Sequence, residues 1–165
     1  MLHRFTGKDG EFPYARLTID HAGIIYGATG GGGNIRYCKP YGCGVIFKLA
    51  AIPQGGWSET VLHHFVGHDG ADADNGLIFD LAGNLFGTTV GGGDLQYCQG
   101  FGCGTVFKLT PNSEGGWDET VLHHFVDDPG AYPRGGLIFD ARGNLYGTTS
   151  GDGVTTFGSV FEITP

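Results

Sequence analysis

The feature that most constrains the fold is an internal repeat with a period of 60 residues. Leu-His-His-Phe at 62–65 recurs at 122–125, and Gly-Leu-Ile-Phe-Asp at 76–80 recurs at 136–140. A more divergent first copy precedes these two. A fixed period of this length is typical of proteins that stack one small structural unit several times. We assign one repeat domain, 1–165, with copies at about 1–56, 57–116 and 117–165.

Each copy contains four short segments that are typical of β-strands. The segments are rich in Val, Ile, Leu, Phe, Tyr and Thr, and clusters of Gly, Asn, Asp and Pro separate them. Residues 81–84, Leu-Ala-Gly-Asn, predict a tight turn between the first two strands of the second copy. Helices should be nearly absent, because no segment has a convincing apolar period of 3.6 residues. Four antiparallel strands per repeat predict an all-β chain built from β-propeller blades.

Glycine occupies 33 of the 165 positions, which could also indicate a low-complexity chain. The aromatic content of 13% and the apolar content of 40% disfavour disorder. Most of the glycines recur in register with the repeat, at strand ends and turns. We therefore expect them to permit tight turns and close packing in an ordered fold.

The repeated segments resemble a known family. Gly-Leu-Ile-Phe-Asp, Gly-Asn-Leu-Tyr-Gly-Thr-Thr and Gly-Thr-Val-Phe-Lys-Leu-Thr-Pro are similar to the Gloeobacter/Verrucomicrobium-type tandem repeat of long, exported bacterial proteins of unassigned function. The resemblance covers all three copies, and the first departs from it at Ile24 and Ala28, where the others have Asn and Thr. NHL-type propeller repeats, with a comparable D-x-x-G-N hairpin, are similar more loosely. The resemblance implies a propeller and no catalytic residues.

The order of the strands suggests how the chain assembles. By analogy with NHL repeats, the first strand is innermost and Leu-His-His-Phe is outermost. The chain then begins with an outermost strand at 2–5 and ends with a third strand at 160–163. Three blades are fewer than the four to eight of a usual ring. We therefore expect a homodimer that forms a six-bladed ring with exchanged N-terminal strands; the alternative fold is a β-trefoil, which also has threefold repetition.

The four cysteines form two pairs with the same spacing, Cys38 with Cys43 and Cys98 with Cys103. The residues between them are turn formers, and the shorter third copy lacks both cysteines together. This joint loss favours two local disulfides, which form in an oxidising compartment. A zinc site that includes histidines and a set of reduced structural thiols are the alternatives.

Charge and hydropathy limit the partners and the location. A net charge of −8, with only 9 basic residues, argues against nucleic acid and anionic lipid as partners. No apolar run approaches the ~18 residues that cross a membrane. The disulfides suggest an extracellular or periplasmic origin, although no secretory signal precedes the first repeat element. We expect either that the signal was removed or that the chain is a piece of a longer one.

One face of the predicted propeller carries a candidate ligand surface. Loops after the second and fourth strands share a face, which places loops 30–43 and 90–103 beside loops 7–14 and 67–75. Aromatic rings that stack on sugars, with carboxylates that hold hydroxyl groups, are typical of glycan-binding surfaces. Alternatively, the aromatic rings pack against their own loops. The candidate ligand-binding residues are Tyr37, Tyr41, Tyr97, Phe101, Asp69 and Asp94.

Metal sites have weaker support in the sequence, and no cofactor is expected. Asp69, Asp72 and Asp74 lie close together and could supply oxygen ligands to Ca²⁺. Their spacing is not that of an EF-hand, and a solvated acidic turn is the alternative. His63 and His64 are adjacent in a predicted strand, so their side chains point to opposite faces and cannot chelate one ion together.

These features favour a non-catalytic extracellular binding or structural module, with glycan as a candidate ligand. Equivalent sites in successive repeats would add avidity when presented together. A propeller lyase or hydrolase is one alternative, but it would need an asymmetric catalytic cluster, and the copies are closely alike. A second alternative is an excised or engineered propeller fragment that self-assembles without a ligand.

Overall fold

The computed structural model describes residues 1–127, 130–151 and 157–165. In these ranges the regular secondary structure is β-strand apart from one short 3₁₀ turn at Cys98–Gly100, and turns and loops join the strands, so the predicted all-β class is confirmed. No helix in the described ranges is long and apolar enough to cross a membrane. The strands are β1 (Thr18–Ile19), β2 (Ile25–Ala28), β3 (Val45–Ala51), β4 (Trp57–His64), β5 (Ile78–Phe79), β6 (Leu85–Thr89), β7 (Thr105–Pro111), β8 (Trp117–His124), β9 (Ile138–Phe139), β10 (Leu145–Thr149) and β11 (Ser159–Ile163).

The strands form three antiparallel sheets in which chain neighbours are also sheet neighbours. The orders are β1-β2-β3-β4, β5-β6-β7-β8 and β9-β10-β11. The sheets do not coincide with the predicted repeats. β4 begins at Trp57, the first residue of the second predicted copy, but it pairs with β3 of the first copy. The described part of the third sheet has three strands, which leaves one edge of β11 unpaired.

The N-terminal segment 2–5, predicted as an outermost strand, does not pair with any strand in the described ranges. It nevertheless occupies its expected place in the repeat. The Phe5 ring packs edge-on against Phe47 with 5.0 Å between ring centroids, as Phe65 does against Phe107 at 5.3 Å. Segment 2–5 therefore packs as residues 62–65 do one repeat later, but without their strand pairing.

The hydrophobic core lies between successive sheets. Alternate residues of a strand face opposite sides, so a sheet in the middle of the array buries both faces. Ile46 of the first sheet and Phe107 of the second share one cluster. Val106, the neighbour of Phe107, faces the other way and packs in a second cluster with Leu145 of the third sheet.

A glycine in the second strand of each sheet allows an aromatic ring to lie close to the backbone. Gly87 on β6 pairs with Phe107 on β7. A Cβ atom at Gly87 would lie 2.6 Å from Phe107 Cζ and 2.9 Å from Leu77 Cδ2, both inside normal contact distance. Only glycine fits at this point. The equivalent pairs are Gly27 with Phe47 and Gly147 with Phe161.

An aspartate closes each hairpin between the first and second strands. Asp80 Oδ1 accepts hydrogen bonds from the backbone N–H groups of Ala82 and Asn84, both at 2.9 Å, and Oδ2 accepts one from Asn84 Nδ2 at 2.7 Å. Partial burial opposes ionisation, but the bonds from Asn84 and Ala82 hold the pKa of Asp80 below its usual value. The ionised carboxylate therefore stabilises the turn.

The packing of Phe107 predicts that Gly87→Ala is destabilising. The added methyl group must displace the ring or the backbone, and we expect the free energy of unfolding to fall by about 1–3 kcal/mol. Gly136→Ala is the matched control, because a Cβ atom at Gly136 meets nothing within 4 Å. Urea unfolding measures both variants. Equal midpoints for Gly87→Ala and the wild-type chain would contradict the packing described.

The hairpin aspartate predicts a specific dependence on pH. A lowered pKa in the folded state gives stability that is present above the unfolded pKa and lost as pH falls through the folded pKa. Asp80→Asn should lower the free energy of unfolding by about 1 kcal/mol at pH 7, and this difference should shrink progressively as the pH falls below the ordinary pKa of an aspartate. The exposed Glu114→Gln is the control. A constant difference across this range would refute the assignment.

Candidate functional site

Both predicted disulfides are present. Cys38 is bonded to Cys43 with an S–S distance of 2.02 Å, and Cys98 to Cys103 with 2.04 Å. No free cysteine remains, so the zinc and free-thiol alternatives for these residues are wrong. Each bridge joins two cysteines that are five positions apart in the long loop between the second and third strands of its sheet.

The disulfide loops are fixed by backbone hydrogen bonds to neighbouring loops. Glu11 and Gly31 form an antiparallel bridge, as do Ala71 and Gly91 one repeat later. The N–H of Asp72 donates to Cys43 O at 3.1 Å. Loops 7–14 and 67–75 therefore lie beside the disulfide loops, as the strand order predicts.

Aromatic side chains are exposed on these braced loops. Tyr41 is 58% exposed and its equivalent one repeat later, Phe101, is 76% exposed. Tyr37 and its equivalent Tyr97 are also exposed. We name residues 34–43 and 94–103 the disulfide-loop surface.

A groove of about 450 Å³ runs between the two disulfide loops. Tyr37 and Tyr41 line it from the first loop, and Leu95 and Phe101 from the second. Asp72 contributes a carboxylate. Apolar walls with a few polar groups are typical of small-ligand sites of this size.

Two further aromatic residues of this region, Phe12 and Tyr14, are not among the predicted ligand-binding residues. Phe12 lies edge-on to Tyr41 with 5.7 Å between ring centroids and stacks on Tyr14 at 6.0 Å. Tyr41 is therefore supported from behind while its ring stays open to solvent. The sequence could have indicated both residues, because Phe12-Pro-Tyr14 lies in loop 7–14, which is predicted to lie beside the disulfide loops.

Asp94 lies at the start of the second disulfide loop and is partly buried. Its Oδ1 accepts a hydrogen bond from the backbone N–H of Gln96 at 3.0 Å. Asn34, the equivalent residue in the first loop, makes the same bond to Arg36 at 3.0 Å. The geometry gives Asp94 a role in shaping the loop.

Asp69 does not lie on the disulfide-loop surface with the other predicted residues. It is only 7% exposed. Its Oδ1 accepts a hydrogen bond from Val66 N at 2.8 Å, and its Oδ2 lies 3.0 Å from His63 Nε2. Burial opposes ionisation, but the bonds from His63 and Val66 hold the pKa of Asp69 below its usual value.

The candidate calcium ligands are not brought together. Within the described ranges, Asp69, Asp72 and Asp74 do not form a group whose ligand atoms lie within 4.8 Å of one another. Asp74 is partly buried and its Oδ1 has no hydrogen-bond partner. Burial raises the pKa of Asp74, and the charge of Arg134 partly offsets the rise.

Asp69 belongs instead to a group with His63 and Glu119, whose ligand atoms lie within 4.8 Å of one another. Burial raises the pKa of Glu119 to about 7, the charge of His63 opposes the rise, and Asp69 adds to it. Sequence reasoning compared His63 with its neighbour His64 and so missed this group. The sequence did contain a signal, because the same three residue types recur together 60 residues apart. The equivalent group consists of His3, Asp9 and Glu59.

A larger hollow of about 860 Å³ lies at the opposite end of the strands, beside the hairpin turns of the second and third sheets. Phe79 and Phe139 line it, with Asp80 and Arg142 at its border. The Asp80 carboxylate is already committed to its own turn. His21 and Lys108 also line this hollow, so its lining is more highly charged than that of the groove.

Comparison with known proteins places the sequence in a family. No curated protein matches the chain. The family described as the Gloeobacter/Verrucomicrobia repeat matches residues 1–165, the whole sequence. The chain therefore belongs to the Gloeobacter/Verrucomicrobia repeat family.

Proposed function

We propose that the chain is a non-catalytic β-propeller module that binds neutral glycans through its disulfide-loop surface. The observation that carries the proposal is the pair of exposed rings, Tyr41 and Phe101, at equivalent positions on loops braced by disulfides. Rings held in place before binding lose little conformational freedom when a sugar stacks on them.

The groove offers the groups that a neutral sugar needs, and its lining carries one cationic residue, Lys39, and one anionic residue, Asp72. A pyranose presents an apolar face to a ring and hydroxyl groups at its edge. Tyr37 and Tyr41 offer both a ring and a phenolic hydroxyl group, and Asp72 offers an acceptor. A net charge of −8 disfavours acidic polysaccharides, so neutral glycans are the expected ligands.

The three sheets support a propeller rather than a trefoil. Each sheet is a separate meander, and successive sheets pack face to face through the clusters that contain Ile46 and Val106. A trefoil would instead combine its hairpins into one shared barrel. Repeated meanders packed in this way are the arrangement of propeller blades.

The two ends of the array expose the residues that its interior buries. Leu17 of the first repeat is 54% exposed, whereas its equivalents Leu77 and Leu137 are 4% and 3% exposed. Val160 of the last sheet is 78% exposed, whereas its equivalent Val106 is 0% exposed. The residues exposed on the two end faces are thus equivalent to the residues that pack against each other between neighbouring sheets inside the chain. A second copy that joins both ends would close a six-bladed ring.

The free edge of β11 supports strand exchange in the same dimer. Segment 2–5 corresponds to residues 62–65, and Leu62 packs against the buried cluster of its sheet. Leu2 is exposed in the single chain. Pairing of segment 2–5 with β11 of a second copy would cover Leu2 and satisfy the open strand edge.

The two disulfides support an extracellular or periplasmic location, because such bonds persist in oxidising compartments. A module that presents repeated sites outside the cell would gain avidity on a polysaccharide with repeating units.

Glycan binding is tested with neutral cello-, xylo- and manno-oligosaccharides, first on an array and then by titration calorimetry. We expect Tyr41→Ala and Phe101→Ala each to weaken binding at least about tenfold, a loss of about 1.4 kcal/mol. Leu81→Ala is the control, since Leu81 is fully exposed on a hairpin turn at the other end of the strands. Absence of binding to every sugar, or equal affinity in all variants, would exclude the proposed site.

The ring is tested by size-exclusion chromatography with light scattering. The wild-type chain should give twice the chain mass of 17.4 kDa. Leu2→Asp should give the mass of one chain, because a carboxylate cannot be buried at that position without a large cost. Arg4→Gln should remain dimeric, since its equivalent His64 is exposed. A monomeric wild-type chain would rule out the dimer while leaving glycan binding open.

A further inference from the structure

We propose that His63, Asp69 and Glu119 bind a divalent transition-metal cation, with Zn²⁺ as the preferred ion. The proposal is independent of glycan binding, because the group lies between two sheets and not in the groove of the disulfide-loop surface. A second site of the same kind is formed by His3, Asp9 and Glu59.

The three side chains come from different parts of the fold. His63 is near the end of β4 in the first sheet, and Glu119 is near the start of β8 in the second. Asp69 is in the loop that follows β4. An ion at this point would connect the outermost strands of adjacent sheets, which make few direct contacts of their own.

The aspartate is oriented before any ion binds. Val66 N donates to Asp69 Oδ1, which leaves Oδ2 directed to His63 Nε2 at 3.0 Å. The second site repeats this geometry: Thr6 N donates to Asp9 Oδ1 at 2.7 Å, and Asp9 Oδ2 lies 3.0 Å from His3 Nε2. Ligands fixed in this way by neighbouring groups are typical of metal sites.

The glutamate supplies an oxygen atom that has no other partner. Glu119 Oε1 and Glu59 Oε1 are both buried and accept no hydrogen bond from the part of the chain that the structure describes. A buried oxygen without a donor is costly, and a cation would provide the missing interaction.

The chemistry of the ligands selects the ion. Zn²⁺ binds imidazole nitrogen and carboxylate oxygen at about 2.0–2.2 Å, so ligand atoms of a tetrahedral site lie roughly 3.4 Å apart. The separations of 3.0 Å to at most 4.8 Å need only small side-chain movements to reach this value. Two carboxylates also neutralise the charge of a divalent ion. Ca²⁺ prefers six to eight oxygen ligands, which this group does not offer.

The third repeat provides an internal control. His123 is equivalent to His3 and His63, but position 129 is proline where the other copies have Asp9 and Asp69. The chain should therefore bind two ions and not three.

Zinc binding is tested by titration calorimetry on the untagged chain after treatment with a chelator. We expect two equivalents of Zn²⁺ for the wild-type chain, one for Glu119→Gln and none for the double variant Glu59→Gln with Glu119→Gln. Glutamine keeps the shape of the side chain and removes its charge. His123→Ala should retain two equivalents and serves as the matched control.

Two further measurements keep the test decisive if a variant is unstable. Co²⁺ bound to the wild-type chain should give the visible absorption of a tetrahedral site, and anomalous diffraction at the zinc edge should place ions beside Glu59 and Glu119. Less than one equivalent bound by the wild-type chain would overturn the proposal. Two equivalents retained by a folded double variant, or ions located elsewhere, would also overturn it.

Discussion

The contact between a strand glycine and the phenylalanine ring opposite it governs how the sheets pack. Phe107 lies over Gly87, and its ring also contacts that of Phe65, which follows β4, the last strand of the preceding sheet. Because the glycine has no side chain, the ring can lie close to the backbone of its own sheet. The same arrangement recurs at Gly27 and Gly147.

A second feature that recurs in each repeat is a residue with a left-handed backbone conformation. Asp72 has a φ of 57°, donates its N–H to Cys43 O and accepts a hydrogen bond at its carbonyl from Val90 N. Tyr132 has a φ of 60° and makes the corresponding bonds to Cys103 O and Ser150 N. Each of these residues links the disulfide loop of one sheet to the next sheet. The loops that carry the exposed rings are thus held by backbone bonds and a disulfide together.

Local features of the sequence were sufficient for part of this structure. The strands, hairpins and disulfide pairs depend on residues close together in the chain, and the 60-residue repeat makes each of them visible two or three times. Asp69 shows where such reasoning ends. Its position beside aromatic loops suggested a ligand surface, but the turn after β4 directs its carboxylate back to His63. Glu119 lies 56 residues from His63 in the chain, and only the packing of two sheets brings them together.

The sequence by itself determined the all-β class, the number of repeated units, the family and the cysteine pairing, because each of these follows from local composition or from the period. Tertiary structure alone decided which polar groups meet. A strand residue can face either of two neighbouring sheets, and the choice depends on the register and on the bulge between Val106 and Phe107. The groove between Tyr41 and Phe101 and the grouping of His63 with Asp69 and Glu119 both arise at contacts between repeats, and a single repeat contains neither.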